Sequence, residues 1–116
     1  MHELSVTKDI LETVLNIAEA NGATRVAAVS LTVGEMRDIV PEFMQRYFAY
    51  VCEGTIAEGA TLEIQRIPVT LKCKQCEHVF PCDMRQAAEI ACPACGRRGF
   101  DMATGRELRI EGIQIQ

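Results

Sequence analysis

The sequence predicts an α+β fold, with two helices packed on a small mixed β-sheet and a compact cysteine-rich domain inserted before the last strand. Three observations carry this expectation. Two segments repeat apolar residues with helical spacing. Three others alternate apolar and polar residues. Five of the six cysteines fall between residues 73 and 95. A chain of 116 residues, 48% hydrophobic and 24% charged, is large enough for one core plus one stapled module.

Residues 4–21 form the first helical segment. Leu4, Leu11, Val14 and Ala18 recur along one side, and Ile10 and Ile17 widen the stripe. Lys8, Asp9, Glu12 and Glu19 lie on or beside the other face, and Asn21-Gly22 supplies the stop. Residues 24–33 read as a strand with Val29, Leu31 and Val33 on one face, ended by Gly34. A short loop over 34–40 leads to Pro41, which suits the first turn of a helix because its missing N–H has no partner there. Phe43, Met44, Tyr47, Phe48 and Val51 then form a stripe expected in the core, and Gly54 ends the helix. Leu62, Ile64 and Ile67 mark a second strand, with Pro68 at its end. Residues 106–116 alternate as Leu108 and Ile110, then Ile113 and Ile115. The change of phase at Gly112 predicts a bulge. This strand is expected to pair with the first two, so residues 1–70 plus 106–116 form one domain and 71–105 an insertion.

Within the insertion, Cys73-x-x-Cys76 and Cys92-Pro-x-Cys95 are separated by fifteen residues. Two such pairs aim four thiolates at one point, and tetrahedral, sulfur-tolerant zinc is the ion that suits them. Cys92-Pro93 and Gly96 resemble the knuckle of a zinc ribbon, so the insertion reads as a zinc-ribbon domain. Four protein ligands close the site, which makes it structural rather than catalytic. The module's larger apolar residues, Val79, Phe80, Ile90 and Phe100, are too few for a self-sufficient core. Structural zinc contributes about 10–16 kcal/mol in small zinc peptides and supplies the difference. A redox dithiol would need a CxxC at a helix start after a strand, a setting neither pair has. Cys82 and His78 read as surface residues of the module, and Cys52 as a small buried group on the second helix.

Charge disfavours a nucleic-acid binder. The net charge is −4, with −5 over residues 1–70 and +1 over 71–105. A zinc-ribbon protein-interaction or nucleic-acid-binding module is the alternative reading. The nucleic-acid form predicts a basic stripe that the segment does not offer. No apolar run reaches the ~18 residues of a membrane span, and no secretory signal is evident, so a soluble cytoplasmic protein is expected. No nucleophile–base pair, phosphate loop or dinucleotide motif is present, and no enzymatic activity is expected.

The chain starts Met1-His2-Glu3. The α-amine, the first amide nitrogen and an imidazole at position two can chelate one ion, and Glu3 adds a carboxylate. Nitrogen-rich planar donor sets suit Ni(II) or Cu(II).

Taken together, these features resemble the HypA/HybF family of hydrogenase nickel-incorporation proteins. The resemblance rests on Met1-His2-Glu3 opening a helix, Gly34-Glu35 after the first strand, and the segment 54–64 (GTIAEGATLEI). It is completed by Cys73-x-x-Cys76, Cys92-Pro-x-Cys95-Gly96 and a closing strand. The resemblance implies a metallochaperone that supplies nickel for [NiFe] hydrogenase, and in some organisms for urease. It implies work with a HypB-like GTPase, delivery to the hydrogenase large-subunit precursor, and a monomer or weak homodimer. His2 matches the family's nickel ligand, and Glu3 matches the next residue of the same motif. Cys73, Cys76, Cys92 and Cys95 match the zinc ligands. Where some members place a further Asp donor after the Gly-Glu pair, this chain has Val40, flanked by Asp38 and Glu42.

Overall fold

A computed structural model describes residues 3–83, 85 and 89–116. Helix α1 spans Glu3–Ala20. It buries Val6, Ile10, Leu11, Val14 and Ala18, together with Thr7, whose hydroxyl donates to the Leu4 carbonyl at 2.8 Å. The buried stripe is rotated relative to the sequence expectation. Leu4 is half-buried and Ile17 is 41% exposed, because neighbours cover α1 on one side only. The helix stops at Asn21-Gly22. Gly22 takes the left-handed conformation (φ 67°), and Ala23 N–H returns to the Ala18 carbonyl at 3.0 Å.

Strand β1 (Val26–Gly34) is the centre of the first sheet. Helix α2 (Pro41–Cys52) then crosses back to β2 (Thr61–Ile67), which lies parallel to β1. The last strand, β6 (Leu108–Ile115), runs antiparallel along the opposite edge of β1. It therefore pairs with β1 alone rather than with both earlier strands, since β1 separates it from β2. The register slips between Gly112 and Ile110 and leaves Glu111 without a partner residue, which is the bulge expected at this point.

Both helices pack on one face of this sheet. Met44, Phe48 and Cys52 face the core from α2 at intervals of four residues. Phe43 is 45% exposed, contrary to its expected burial, because α2 turns Met44, Phe48 and Cys52 to the core with Val51 beside them, and Phe43 lies off that face. Gln45 Nε2 donates to the Leu62 carbonyl. The segment after β1 is a short 3-10 turn, Glu35–Arg37, closed by Asp38 in the left-handed region (φ 54°). Asp38 does not cap α2, which begins at Val40 without a side-chain cap.

A second sheet of order β4-β3-β5 is built from β3 (Thr70–Cys73), β4 (Val79–Pro81) and β5 (Phe100–Thr104), all antiparallel. Its core is small: Cys73, Phe80 and Cys92, with Leu71, Ile90 and Phe100 packed against them. The rings of Phe80 and Phe100 meet edge to face at 5.4 Å. Val79 is 51% exposed and adds nothing to this core.

The two sheets join at a backbone seam. Gly34 N–H donates to the Glu107 carbonyl at 2.7 Å, and Met36 N–H to the Gly105 carbonyl at 2.8 Å. Arg37 Nε donates to the Arg106 carbonyl at 2.7 Å. A Cβ on Gly34 would fall 2.5 Å from Arg106 N and closer still to the Gly105 carbonyl. Gly105 itself takes φ 123° against the buried Val69. No described helix is long and apolar enough to cross a membrane.

Candidate metal centre

Each cysteine pair sits in the same local structure. Cys73 N–H donates to the His78 carbonyl at 2.9 Å, and the Cys73 carbonyl accepts from Glu77 N–H at 3.0 Å. Cys92 N–H donates to the Arg97 carbonyl at 2.8 Å, and the Cys92 carbonyl accepts from Gly96 N–H at 2.7 Å. These equivalent bonds turn each CxxC back on itself, so that both thiols point into one space. The turn needs a left-handed residue just after the second cysteine. Gly96 (φ 76°) fills that place in one knuckle and Glu77 (φ 64°) in the other. Arg97 links the knuckles by donating to Gln75 Oε1 at 2.9 Å.

The four sulfurs converge. Cys73 Sγ lies 3.5 Å from Cys95 Sγ, and Cys76 Sγ lies 3.6 Å from Cys92 Sγ. All four lie within 4.8 Å of one another. Four Zn–S bonds of about 2.3 Å arranged as a tetrahedron have edges of about 3.8 Å, so the cluster fits zinc. Cys73 and Cys92 are buried, while Cys76 and Cys95 are exposed.

The sulfurs do not titrate alike. The N–H groups of Cys76 and Gln75 pull the Cys73 thiol down to about 6. Burial pushes the Cys92 thiol up, but the N–H groups of Cys95 and Ala94 help to leave it lowered. At Cys76 the His78 N–H acts downward, yet burial and the neighbouring thiols carry it up to about 12. Cys95 is raised in the same way against the pull of the Arg97 N–H. Backbone N–H groups thus favour the thiolate at Cys73 and Cys92, while burial and the neighbouring sulfurs resist it at Cys76 and Cys95. A divalent cation at the centre removes that resistance.

Among the described residues, His78 and the other two cysteines stand apart from the cluster. His78 is exposed and stacks on Phe80 at 6.0 Å. Cys82 is half-buried. Cys52 lies in the main core, where burial pushes its thiol up to about 11. None of the six cysteines, all among the described residues, is in a disulfide.

Of the expected nickel ligands, His2 lies outside the described residues. Glu3 is half-buried at the first position of α1. The contacts of α1 show where that end sits. Val6 and Ile10 flank Leu108, whereas Ile17 and Asn21 flank Ile110 to Ile115. The helix therefore runs parallel to β6 and starts at its Leu108 end, beside the seam. Glu35 and Asp38, both exposed, follow β1 at that same end. The seam contact of Gly34 with Gly105 and the left-handed Glu77 were not anticipated. Only the equivalent offset of Gly96 in the second knuckle hints at the latter.

Comparison with known proteins agrees with this architecture. Residues 1–115 match the family described as "Hydrogenase/urease nickel incorporation, metallochaperone, hypA". The hydrogenase maturation factor HypA of Geobacter sulfurreducens is 38% identical over 116 residues, covering all of both chains. That of Lawsonia intracellularis is 36% identical over 118 residues, again covering all of both chains. Two solution structures share the fold. One, of a HypA protein, has a TM-score of 0.77 at 25% identity, covering 100% of this chain and 97% of that one. The other, the Ni metallochaperone HypA from Helicobacter pylori, has a TM-score of 0.68 at 24% identity, covering 99% and 97%.

An α+β scaffold carrying a closed four-thiol centre defines a metal-binding protein. The chain belongs to the HypA family of nickel-incorporation metallochaperones.

Proposed function

We propose that this chain carries Ni(II) at its start and delivers it during maturation of [NiFe] hydrogenase. The α-amine, the His2 imidazole and backbone nitrogens through Glu3 hold the ion. The observation that supports this reading best is the family match over residues 1–115, which includes the His2-Glu3 opening. A planar nitrogen set selects Ni(II), and deprotonated amides make its hold weaken as pH falls. Cys73, Cys76, Cys92 and Cys95 keep one zinc permanently. Residues 1–70 plus 106–116 act as the nickel domain and 71–105 as the zinc ribbon, each with its own apolar cluster. A HypB-like GTPase and the hydrogenase large-subunit precursor are the partners, met in the cytoplasm.

The test is Ni(II) titration of protein with its native start beside His2→Ala. The expected result is loss of nickel binding with one zinc per chain retained. Equal nickel affinity in the two proteins refutes the assignment.

A further inference from the structure

The four-thiol centre is not symmetric toward solvent. Cys73 and Cys92, the first residue of each knuckle, are 0% and 2% exposed, whereas Cys76 and Cys95, the second, face outward. The backbone repeats this division. Cys73 Sγ accepts the N–H groups of Gln75 and Cys76, and Cys92 Sγ those of Ala94 and Cys95. Cys76 Sγ accepts the His78 N–H, and Cys95 Sγ the Arg97 N–H. Each such bond draws electron density from sulfur and makes it a weaker nucleophile. The outward pair is therefore both the reachable and the more nucleophilic half of the centre.

Distances then select the partners. Cys95 Sγ lies 3.5 Å from Cys73 Sγ, and Cys76 Sγ lies 3.6 Å from Cys92 Sγ. Each close pair joins the outward sulfur of one knuckle to the inward sulfur of the other. A disulfide holds its sulfurs about 2.05 Å apart, so each sulfur has to move by less than about 0.8 Å. A turn of about 30° about χ1 carries a sulfur that far and leaves the knuckle backbone in place.

We propose that Cys76 and Cys95 are sites of oxidation by hydroperoxides, and that each reaction ends in a disulfide to the opposite knuckle, Cys76–Cys92 and Cys73–Cys95. The proposal rests on the reading of the four thiols as a zinc centre. In the first step the thiolate of Cys76 or Cys95 attacks one peroxide oxygen. An S–O bond forms, the O–O bond breaks and hydroxide leaves, so that sulfur is oxidised by two electrons and the peroxide is reduced. In the second step the inward thiolate of the opposite knuckle attacks the oxidised sulfur. The S–S bond forms, the S–O bond breaks and a second hydroxide leaves; two protons convert both hydroxides to water. Four thiolates thus consume two peroxides, and disulfide sulfur no longer carries the charge that holds Zn(II). The two new bonds take over the task of tying knuckle to knuckle, which a disulfide within one CxxC does not do. The centre keeps its ion while the thiols are reduced and releases it, with the module still closed, when hydroperoxide is present.

The test uses the full chain, purified reduced and assayed for zinc, then treated with a small molar excess of hydrogen peroxide. A chromogenic chelator follows zinc release, and mass spectrometry of non-reducing digests maps the disulfides. Dimedone, added in a parallel reaction, traps the first oxidised sulfur. The expected result is complete loss of zinc, the pairs Cys73–Cys95 and Cys76–Cys92, dimedone on Cys76 and Cys95, and an unchanged far-UV circular dichroism spectrum. Reduction should restore zinc binding, and Cys82→Ser should alter neither the release nor the pairing. Zinc retained under peroxide, disulfides within a CxxC or to Cys82, dimedone on Cys73 or Cys92, or loss of the dichroism signal overturns the proposal. A reduced chain without zinc before treatment refutes the zinc reading instead, and the mapped pairs still decide which thiols react.

Discussion

Replacing Gly34 with alanine probes the seam between the two sheets. The added Cβ would sit 2.5 Å from Arg106 N and against the Gly105 carbonyl, all backbone atoms that cannot rotate aside. Relief requires the 105–107 connector to move away by more than about 1 Å, into an ordinary contact distance. That movement breaks the 2.7 Å bond from Gly34 to Glu107 and the 2.8 Å bond from Met36 to Gly105. Each is worth about 1 kcal/mol, and overpacking adds about 1–3 kcal/mol. The expected loss is about 3–5 kcal/mol, which lowers Tm by about 10 °C or more in a chain of this length. Urea and thermal unfolding followed by far-UV circular dichroism measure it. Gly112→Ala serves as the control, since its Cβ meets nothing and its φ is not positive; it should lie within about 0.5 kcal/mol of wild type. A Gly34→Ala protein melting within about 2 °C of wild type would refute the steric reasoning, because the seam would then have been free to part at no cost.

Two further substitutions test other placements. Glu77→Gly removes a left-handed strain of about 1 kcal/mol from the first knuckle. Zinc should then leave more slowly to a chelator, while Gly96→Ala, with open space around its Cβ, should release it faster. In α2, Met44→Ala should cost about 2–5 kcal/mol in urea unfolding, whereas Phe43→Ala should cost less than about 1 kcal/mol. Equal losses would show that the exposed ring of Phe43 is packed after all.

Periodicity located every strand and helix of the main sheet because one-sided burial imposes it. Leu62 and Ile64 alternate, and Met44 and Phe48 recur at four, for that reason alone. The bulge was legible for the same cause: an inserted residue shifts the phase, and the shift falls between Ile110 and Ile113. Alternation says which side of a strand is buried but not which strand lies beside it. Hence the central place of β1 and the free outer edge of β6 could not be read. Stripe width was equally ambiguous. Phe43 and Met44 both fit a helical face, and only the neighbours of α2 decide that Met44 is buried and Phe43 is not. The thiol cluster was fully legible, since CxxC spacing acts through local geometry.

The seam was invisible for the opposite reason. It joins the backbones of Gly34 and Gly105, distant in sequence, and carries no side-chain signal beyond two glycines. Yet it gives a physical reason for the Gly34-Glu35 pair on which the family resemblance partly rests. The glycine permits the close approach, and the residues after it are then held through Met36 and Arg37 to the 105–106 connector. Glu35 and Asp38 follow from that anchored turn, and Glu3 starts α1 at the same end of the sheet. Both connections that lead into and out of the cysteine-bearing sheet pass this point, through Val69 and Gly105. A displacement of that sheet is therefore felt first at Gly34 and Met36, whose backbone N–H groups bond Glu107 and Gly105.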